Sequence, residues 1–261
     1  MKIYLIFISI LITSCNAFEF LTNSKSSIDN DFSSKDLESL EDSLIGFWNL
    51  NEQTAGSTKT SFKSQIDLFD TTSVGLSVVP GRFGNAVDCE SGSSGSGFLQ
   101  SNTFSSIPLP SSAGFSLSFW IKLGIQPTTG FEKVIHFGPG GSVDFGDLGG
   151  GSTDFGFRLM DGSVDVIRVN SLTNFDTNNW NHVVINSFQN NSENRIFVNG
   201  EEQIGAFSNG VGSFAITRVL LCSDSAGTQS LQSKIDSVGI WERALTHDEI
   251  EVLSSETTQL D

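Results

Sequence analysis

Carboxylates are the residues of this chain best placed to carry chemistry, and Asp236 is the one whose neighbours say most. In Ile235-Asp236-Ser237-Val238-Gly239-Ile240-Trp241 it shares period-two parity with Val238 and Ile240. On a regular strand those three side chains lie on one face, and the apolar pair marks that face as the core side. A carboxylate aimed at a core needs hydrogen-bond donors or a cation. Backbone N–H groups of a neighbouring turn satisfy that need as well as a metal does. A second cluster lies in the glycine-rich run from Gly138 to Phe155, where Asp144, Asp147 and Asp154 alternate with Phe145 and Phe155. As a ligand-binding loop it offers oxygen ligands to Ca²⁺ and flat rings to a sugar. As a solvated β-hairpin loop it offers neither, and it fits no EF-hand spacing.

Nucleophilic and zinc chemistry find little support. The chain has no Gly-x-Ser-x-Gly elbow, no His-Glu-x-x-His, and three histidines in all. His136 and His247 have no metal-ligand companions at recognisable spacing, and His182 reads as a packing residue. The formal net charge of −16, from 14 basic and 30 acidic residues, works against nucleic-acid backbones and anionic lipid. It suits a solvated extracytoplasmic protein.

The elements that must position these groups are mostly strands. Twenty-two Phe among 261 residues, with β-branched runs between Gly, Ser and Asn clusters, favour sheets and turns. Phe115, Leu117, Phe119 and Ile121 share one face of a strand and Ser116, Ser118 and Lys122 the other, the alternation of an antiparallel sheet. Asp161-Gly162 and Asn199-Gly200 are tight-turn dipeptides. After Trp241 the chain turns into a short helix: Thr246 is the N-cap, Glu249 completes a capping box, and Leu245 with Ile250 has the hydrophobic staple spacing. A helix so short must be docked on the domain. About a dozen such strands imply a two-sheet sandwich.

The N-terminus stands apart. Lys2 and the apolar run Ile3 to Ile12 read as a secretion signal too short to span a bilayer. Ile12-Thr13-Ser14-Cys15 resembles a bacterial lipobox, which makes residues 1–15 the leader and Cys15 the lipidation site, and so the route to a secreted or cell-surface, membrane-anchored protein. Ordinary cleavage after Ala17 is the competing reading. Residues 16–43 are polar and read as a tether of roughly 30 Å, or as a short amphipathic helix from Ser34 to Leu44. The domain then runs over 44–256, with a tail at 257–261. In an oxidising compartment Cys89 and Cys222 can pair or remain two independent buried thiols.

Five segments in order resemble the laminin-G-like jelly roll of the concanavalin A-like lectin/glucanase superfamily. They are Gly46-Phe47-Trp48-Asn49-Leu50-Asn51-Glu52, Gly81-Arg82-Phe83-Gly84-Asn85-Ala86, Phe115 to Trp120, Trp180-Asn181-His182-Val183 with Phe197-Val198-Asn199-Gly200, and the closing Ile235 to Ile250. The resemblance implies an all-β, two-sheet antiparallel jelly-roll sandwich of the concanavalin A-like kind with a short C-terminal helix. It implies a binding domain for glycans or extracellular proteins, with a structural or adhesion domain as the alternative. It also implies a structural Ca²⁺, for which Asp236, Asp88 and Glu52 are the candidate ligands. The Glu-x-Asp-x-x-Glu run of related glycosidases is absent, which points away from an enzyme.

Overall fold

The structure, a computed structural model, describes residues 39–52, 54–61, 66–71, 76–92, 98–110, 112–124, 130–138, 140–147, 155–189, 193–204, 214–224, 226 and 231–255. Its strands in chain order are β1 (Leu44–Trp48), β2 (Leu68–Asp70), β3 (Ser77–Pro80), β4 (Asn85–Asp88), β5 (Leu99–Ser101), β6 (Ile107–Leu109), β7 (Phe115–Leu123), β8 (Phe131–His136) and β9 (Gly141–Asp147). They continue as β10 (Phe155–Asp161), β11 (Val164–Val169), β12 (Asn181–Ser187), β13 (Arg195–Val198), β14 (Glu201–Glu202), β15 (Phe214–Ile216), β16 (Leu220–Leu221) and β17 (Ser233–Trp241), before helix α1 (His247–Ser254). The first sheet runs β14-β13-β12-β7-β17-β4-β3, with β1 also on β17; the second runs β11-β10-β9-β8-β16-β5-β2. Every named pairing in them is antiparallel. This is the expected jelly-roll sandwich.

Between the sheets lies one apolar core, which includes Phe115, Leu117, Phe119, Phe137, Phe145 and Phe157. The face of β7 expected to be solvated is also covered. Ser116 and Ser118 are buried and satisfied: the Leu245 N–H donates to Ser116 Oγ, which donates to Asn186 Oδ1. A second, smaller core covers this outer face, formed by Leu40, Val184, Phe197, Trp241, Leu245 and Ile250. It is the docking site that α1 requires. The capping box is present, with Glu249 N donating to Thr246 Oγ1 and Thr246 N donating to Glu249 Oε2.

Residues 39–43, within the stretch expected as a tether, are held against the same corner. Leu40 is buried, and its carbonyl accepts the Trp241 indole N–H at 2.7 Å. Arg243 donates to Ser39 O and Asp42 O, and grips both Glu249 oxygens at 2.7 and 2.8 Å. Cys15, the leader, residues 16–38 and the tail fall outside the described residues.

Candidate functional site

Asp236 does not point between the sheets. The β7 pairing shifts register between Asp236 and Gly239, and Ser237 sits at φ 47°. A β-bulge of this kind inserts an extra residue and reverses strand parity beyond it. Ile235, Val238 and Ile240 therefore all reach the core, while Asp236 faces outward opposite Trp120, which lies opposite His182 on β12. The bulge falls where β17 exchanges one partner for another on the same edge, β4 before it and β1 after it.

Asp236 is nonetheless fully buried, because the Gly81–Gly84 turn closes over it. Its Oδ2 accepts the N–H groups of Arg82 at 2.8 Å and Phe83 at 3.1 Å, and Ser237 Oγ donates to Oδ1 at 3.2 Å. Gly81 is required there, since a Cβ would lie 2.5 Å from Asp236 Oδ2. Phe83 packs edge-on to Trp120 and the Arg82 guanidinium lies over the same ring at 4.8 Å. Burial pushes the Asp236 carboxyl up to about 7, against the pull of the Phe83 and Arg82 N–H donors.

The calcium set expected from the resemblance does not fit these residues. The groups around Asp236 are N–H and O–H donors, which present positive charge where a cation would need lone pairs. Asp88 Oδ1 accepts Glu90 N, and Glu52 accepts Thr60 N and lies 3.8 Å from Lys59. Among the described residues no three His, Cys, Asp or Glu side chains come together to hold a metal ion.

The glycine-rich run also differs from its expected form. Gly141–Asp147 is not a loop but β9, paired with both β8 and β10. Phe145, expected as a ligand surface, is buried against Phe157, Phe155 and Phe175. Asp144 lies on the opposite, outer face and is fully buried there. It accepts five hydrogen bonds: two from Lys133 Nζ at 2.7 and 2.8 Å, one each from Arg158 Nε and Nη2 at 3.0 and 2.8 Å, and one from Ser142 Oγ at 2.9 Å. Asp147 closes β9 opposite Phe155, and Asp154 lies outside the described residues. Asp144 is thus far from its expected role as an open loop ligand: two cations already neutralise it.

These contacts belong to a row that sequence reasoning missed. Lys133, Asp144, Arg158 and Arg168 are register neighbours across β8, β9, β10 and β11. Asp165 joins Arg158 at 3.5 Å and Arg168 at 3.2 Å. The Arg158 guanidinium stacks on the Phe131 ring at 3.5 Å. Lys133, Arg158 and Arg168 each stand at outward positions of readable strands, but reading β9 as a loop removed the strand that joins them.

Among the described residues, one nucleophile–base pair exists by geometry. Ser118 Oγ lies 2.7 Å from His182 Nε2, yet both residues are buried and His182 Nδ1 has no hydrogen-bond partner. Burial drives the imidazole down to about 3, so it is a poor base near neutral pH. At the end of the sandwich opposite α1, the Cys89–Cys222 disulfide forms with a Cα separation of 5.4 Å. It links the chain just after β4 to the chain just after β16, and so ties one sheet to the other.

No curated protein sequence matches the chain. Domain 4 of an extracellular arabinanase from Geobacillus stearothermophilus, solved with arabinotriose, aligns with a TM-score of 0.59 at 18% identity, covering 81% of this chain and 98% of that domain. A botulinum neurotoxin type C structure, described as depending on two ganglioside molecules for cell entry, aligns at 0.57 and 15% identity over 85% of this chain and 53% of its own. Trypanosoma rangeli sialidase in complex with sialic acid aligns at 0.56 and 14% identity, over 92% of this chain and 37% of its own. At these identities the likeness is one of fold. The family profile described as the concanavalin A-like lectin/glucanases superfamily, in its laminin G form, matches residues 94–251, and the chain belongs to that family.

Proposed function

We propose that this domain is an extracytoplasmic module that binds glycans through the outer face of its second sheet and carries out no catalysis. The observation that carries this reading is the cross-strand row Lys133–Asp144–Arg158–Arg168 with Asp165. Packing of the apolar core lies on the other side of the same strands and does not need it. A sugar hydroxyl both donates and accepts, and a row that sets cations beside carboxylates offers each kind of partner at neighbouring strand spacings of about 4.8 Å.

Fold kinship with a domain solved holding arabinotriose supports the ligand class. The disulfide supports an oxidising compartment, in keeping with a secretion signal and lipidation at Cys15. The reading does not extend to calcium, because the Asp236, Asp88 and Glu52 surroundings do not suit it. It favours binding over catalysis because the Ser118–His182 pair is buried and weakly basic.

Glycan-array binding by the wild-type protein, repeated with Arg168→Ala, tests it. Hits that vanish in the variant at unchanged melting temperature support the assignment. Hits that persist place the site elsewhere on the domain, and a blank array favours the structural or adhesion role. Mass spectrometry of the mature N-terminus tests the anchor: a diacylglyceryl-modified Cys15 supports it, and an unmodified start at Phe18 rules it out.

A further inference from the structure

Acids outnumber bases in this chain by 30 to 14, so a cation without a carboxylate partner is unexpected. Of the Lys and Arg side chains among the described residues, only Arg82, Lys122 and Arg218 form no ion pair. Arg218 donates to Gln100. The Arg82 Nε is buried without a hydrogen-bond partner, and Lys122 makes no hydrogen bond with a described residue.

Arg82 and Lys122 meet on the outer face of the first sheet. Lys122 stands two residues beyond Trp120 on β7, so both side chains leave the same side of the strand. Arg82 reaches that side from the Gly81–Gly84 turn and lays its guanidinium over the Trp120 ring at 4.8 Å. It is held at both ends, because its N–H also donates to Asp236 Oδ2 at 2.8 Å. Asp236 does not pair with the guanidinium: its oxygens are taken by the Arg82 and Phe83 N–H groups and the Ser237 hydroxyl.

Stacking on Trp120 occupies the flat face of the guanidinium and leaves the N–H groups in its plane to find other partners. Nor does stacking account for Lys122. Across the ladder it faces Lys234, and like charges directly opposite each other repel. Lys234 has Glu90 at 3.5 Å; Lys122 has no such acid. The exposed Asp176 carboxyl is held below its ordinary value first by the Asn179 side chain and last by the Lys122 charge.

We propose that Arg82 and Lys122 form a subsite for a ligand carboxylate. A guanidinium fork grips both oxygens of that planar group, and the ammonium adds a point charge beside it. A doubly charged phosphate suits the place less well, since Asp88 and Glu90 lie next along the same row, against Lys234. Trp120 is 4% exposed and covered by Arg82, Phe83 and His182. It therefore positions Arg82 and offers no open ring to a sugar. The subsite lies on the opposite sheet from the Lys133–Arg168 row and does not rest on the glycan reading.

The test is a titration of the full chain with glucuronate, acetate, phosphate and glucose at constant ionic strength, followed by the Trp120 indole and Arg82 Nε–H resonances. Glucuronate should move both saturably, and acetate should do so if the carboxylate alone is recognised. Glucose should move neither, and phosphate should bind more weakly than glucuronate. Lys122→Gln, which leaves the stacked pair intact, should weaken glucuronate binding about tenfold, and Arg82→Gln should abolish it. Arg168→Ala should bind glucuronate as wild type does. No saturation with glucuronate, or equal affinity in wild type and Lys122→Gln, overturns the subsite. Phosphate binding as tight as glucuronate overturns the carboxylate assignment, and loss of binding in Arg168→Ala alone moves the anion to the other sheet and overturns the proposal.

Discussion

Asp236 and Trp120 stand opposite each other across the β17–β7 ladder on the outside of the first sheet, with His182 next in the row on β12. The two titratable groups flanking the indole are buried with opposite consequences. The Asp236 carboxyl moves from an ordinary 3.8 up to about 7, and the His182 imidazole from 6.5 down to about 3. For Asp236 the folded state holds its proton longer than the unfolded chain, so that contribution is full below pH 3.8 and is lost as pH rises through 7. For His182 the folded state refuses a proton, so its contribution is full above pH 6.5 and is lost as pH falls toward 3. Between about pH 4 and 6.5 the two slopes oppose each other.

Asp236→Asn should therefore gain on the wild type as pH rises. The difference in unfolding free energy, variant minus wild type, should climb by up to about 1.4 kcal/mol per pH unit between pH 4 and 7. Denaturant unfolding at four pH values measures it. Parallel wild-type and variant curves would show that Asp236 ionises normally in the fold.

Much of the sandwich was legible in the sequence because its local signals agree with its global form. Asp161-Gly162 and Asn199-Gly200 do turn adjacent strands back on each other, with Gly162 at φ 57° and Asn199 and Gly200 at φ 52° and 83°. The α1 cap and the burial of Leu245 and Ile250 follow from spacing alone. Parity marks Asp236 as a buried carboxylate needing donors, and the structure buries it, but on the opposite face of the sheet. Parity counting assumes a regular strand, and a bulge at Ser237 leaves no mark that distinguishes it from an ordinary serine. Strand β9 was hidden by its glycines, although Val143 and Phe145 already alternate with Ser142 and Asp144. Once it was lost, the pairing of Lys133 with Asp144 and Arg158 could not be seen, because cross-strand neighbours are set by register rather than by chain distance.

The inter-sheet disulfide should dominate the stability of the end opposite α1. Cys89 and Cys222 are separated by 133 positions, and constraining a loop of that length in the unfolded chain is worth about 5 kcal/mol on the chain-entropy account. Cys89→Ser with Cys222→Ser, or reduction of the wild type, should lower the denaturant midpoint by a comparable fraction. A midpoint unchanged by reductant, with free thiols confirmed by alkylation, contradicts this.

The corner that secures residues 39–43 should unfold with the domain rather than fray. Arg243→Ala leaves the largely buried Glu249 carboxylate without the guanidinium that, with the Thr246 N–H and Ser39 hydroxyl, holds it down to about 2. Breaking such a pair from one side costs about 3 kcal/mol or more. Leu40→Ala removes a buried side chain from the small outer core and should cost about 2 kcal/mol. Both appear as a lower melting temperature. If neither moves it, the segment is merely resting on the domain, and a protein beginning at residue 44 should be equally stable.

The charged row runs from a fully buried carboxylate to a partly exposed guanidinium, which predicts two different mutational outcomes on one face. Asp144→Ala strips Lys133 and Arg158 of the fully buried carboxylate that neutralises both. Two like charges are then left together with partial desolvation, which should destabilise by about 3–5 kcal/mol. Arg168→Gln, at the partly exposed end beside Asp165, should change stability by less than about 1 kcal/mol. A double-mutant cycle of Lys133→Ala with Asp144→Ala should give a coupling of about 1–3 kcal/mol, as expected for side chains in one network. If Arg168→Gln proves as damaging as Asp144→Ala, the row is a single structural brace.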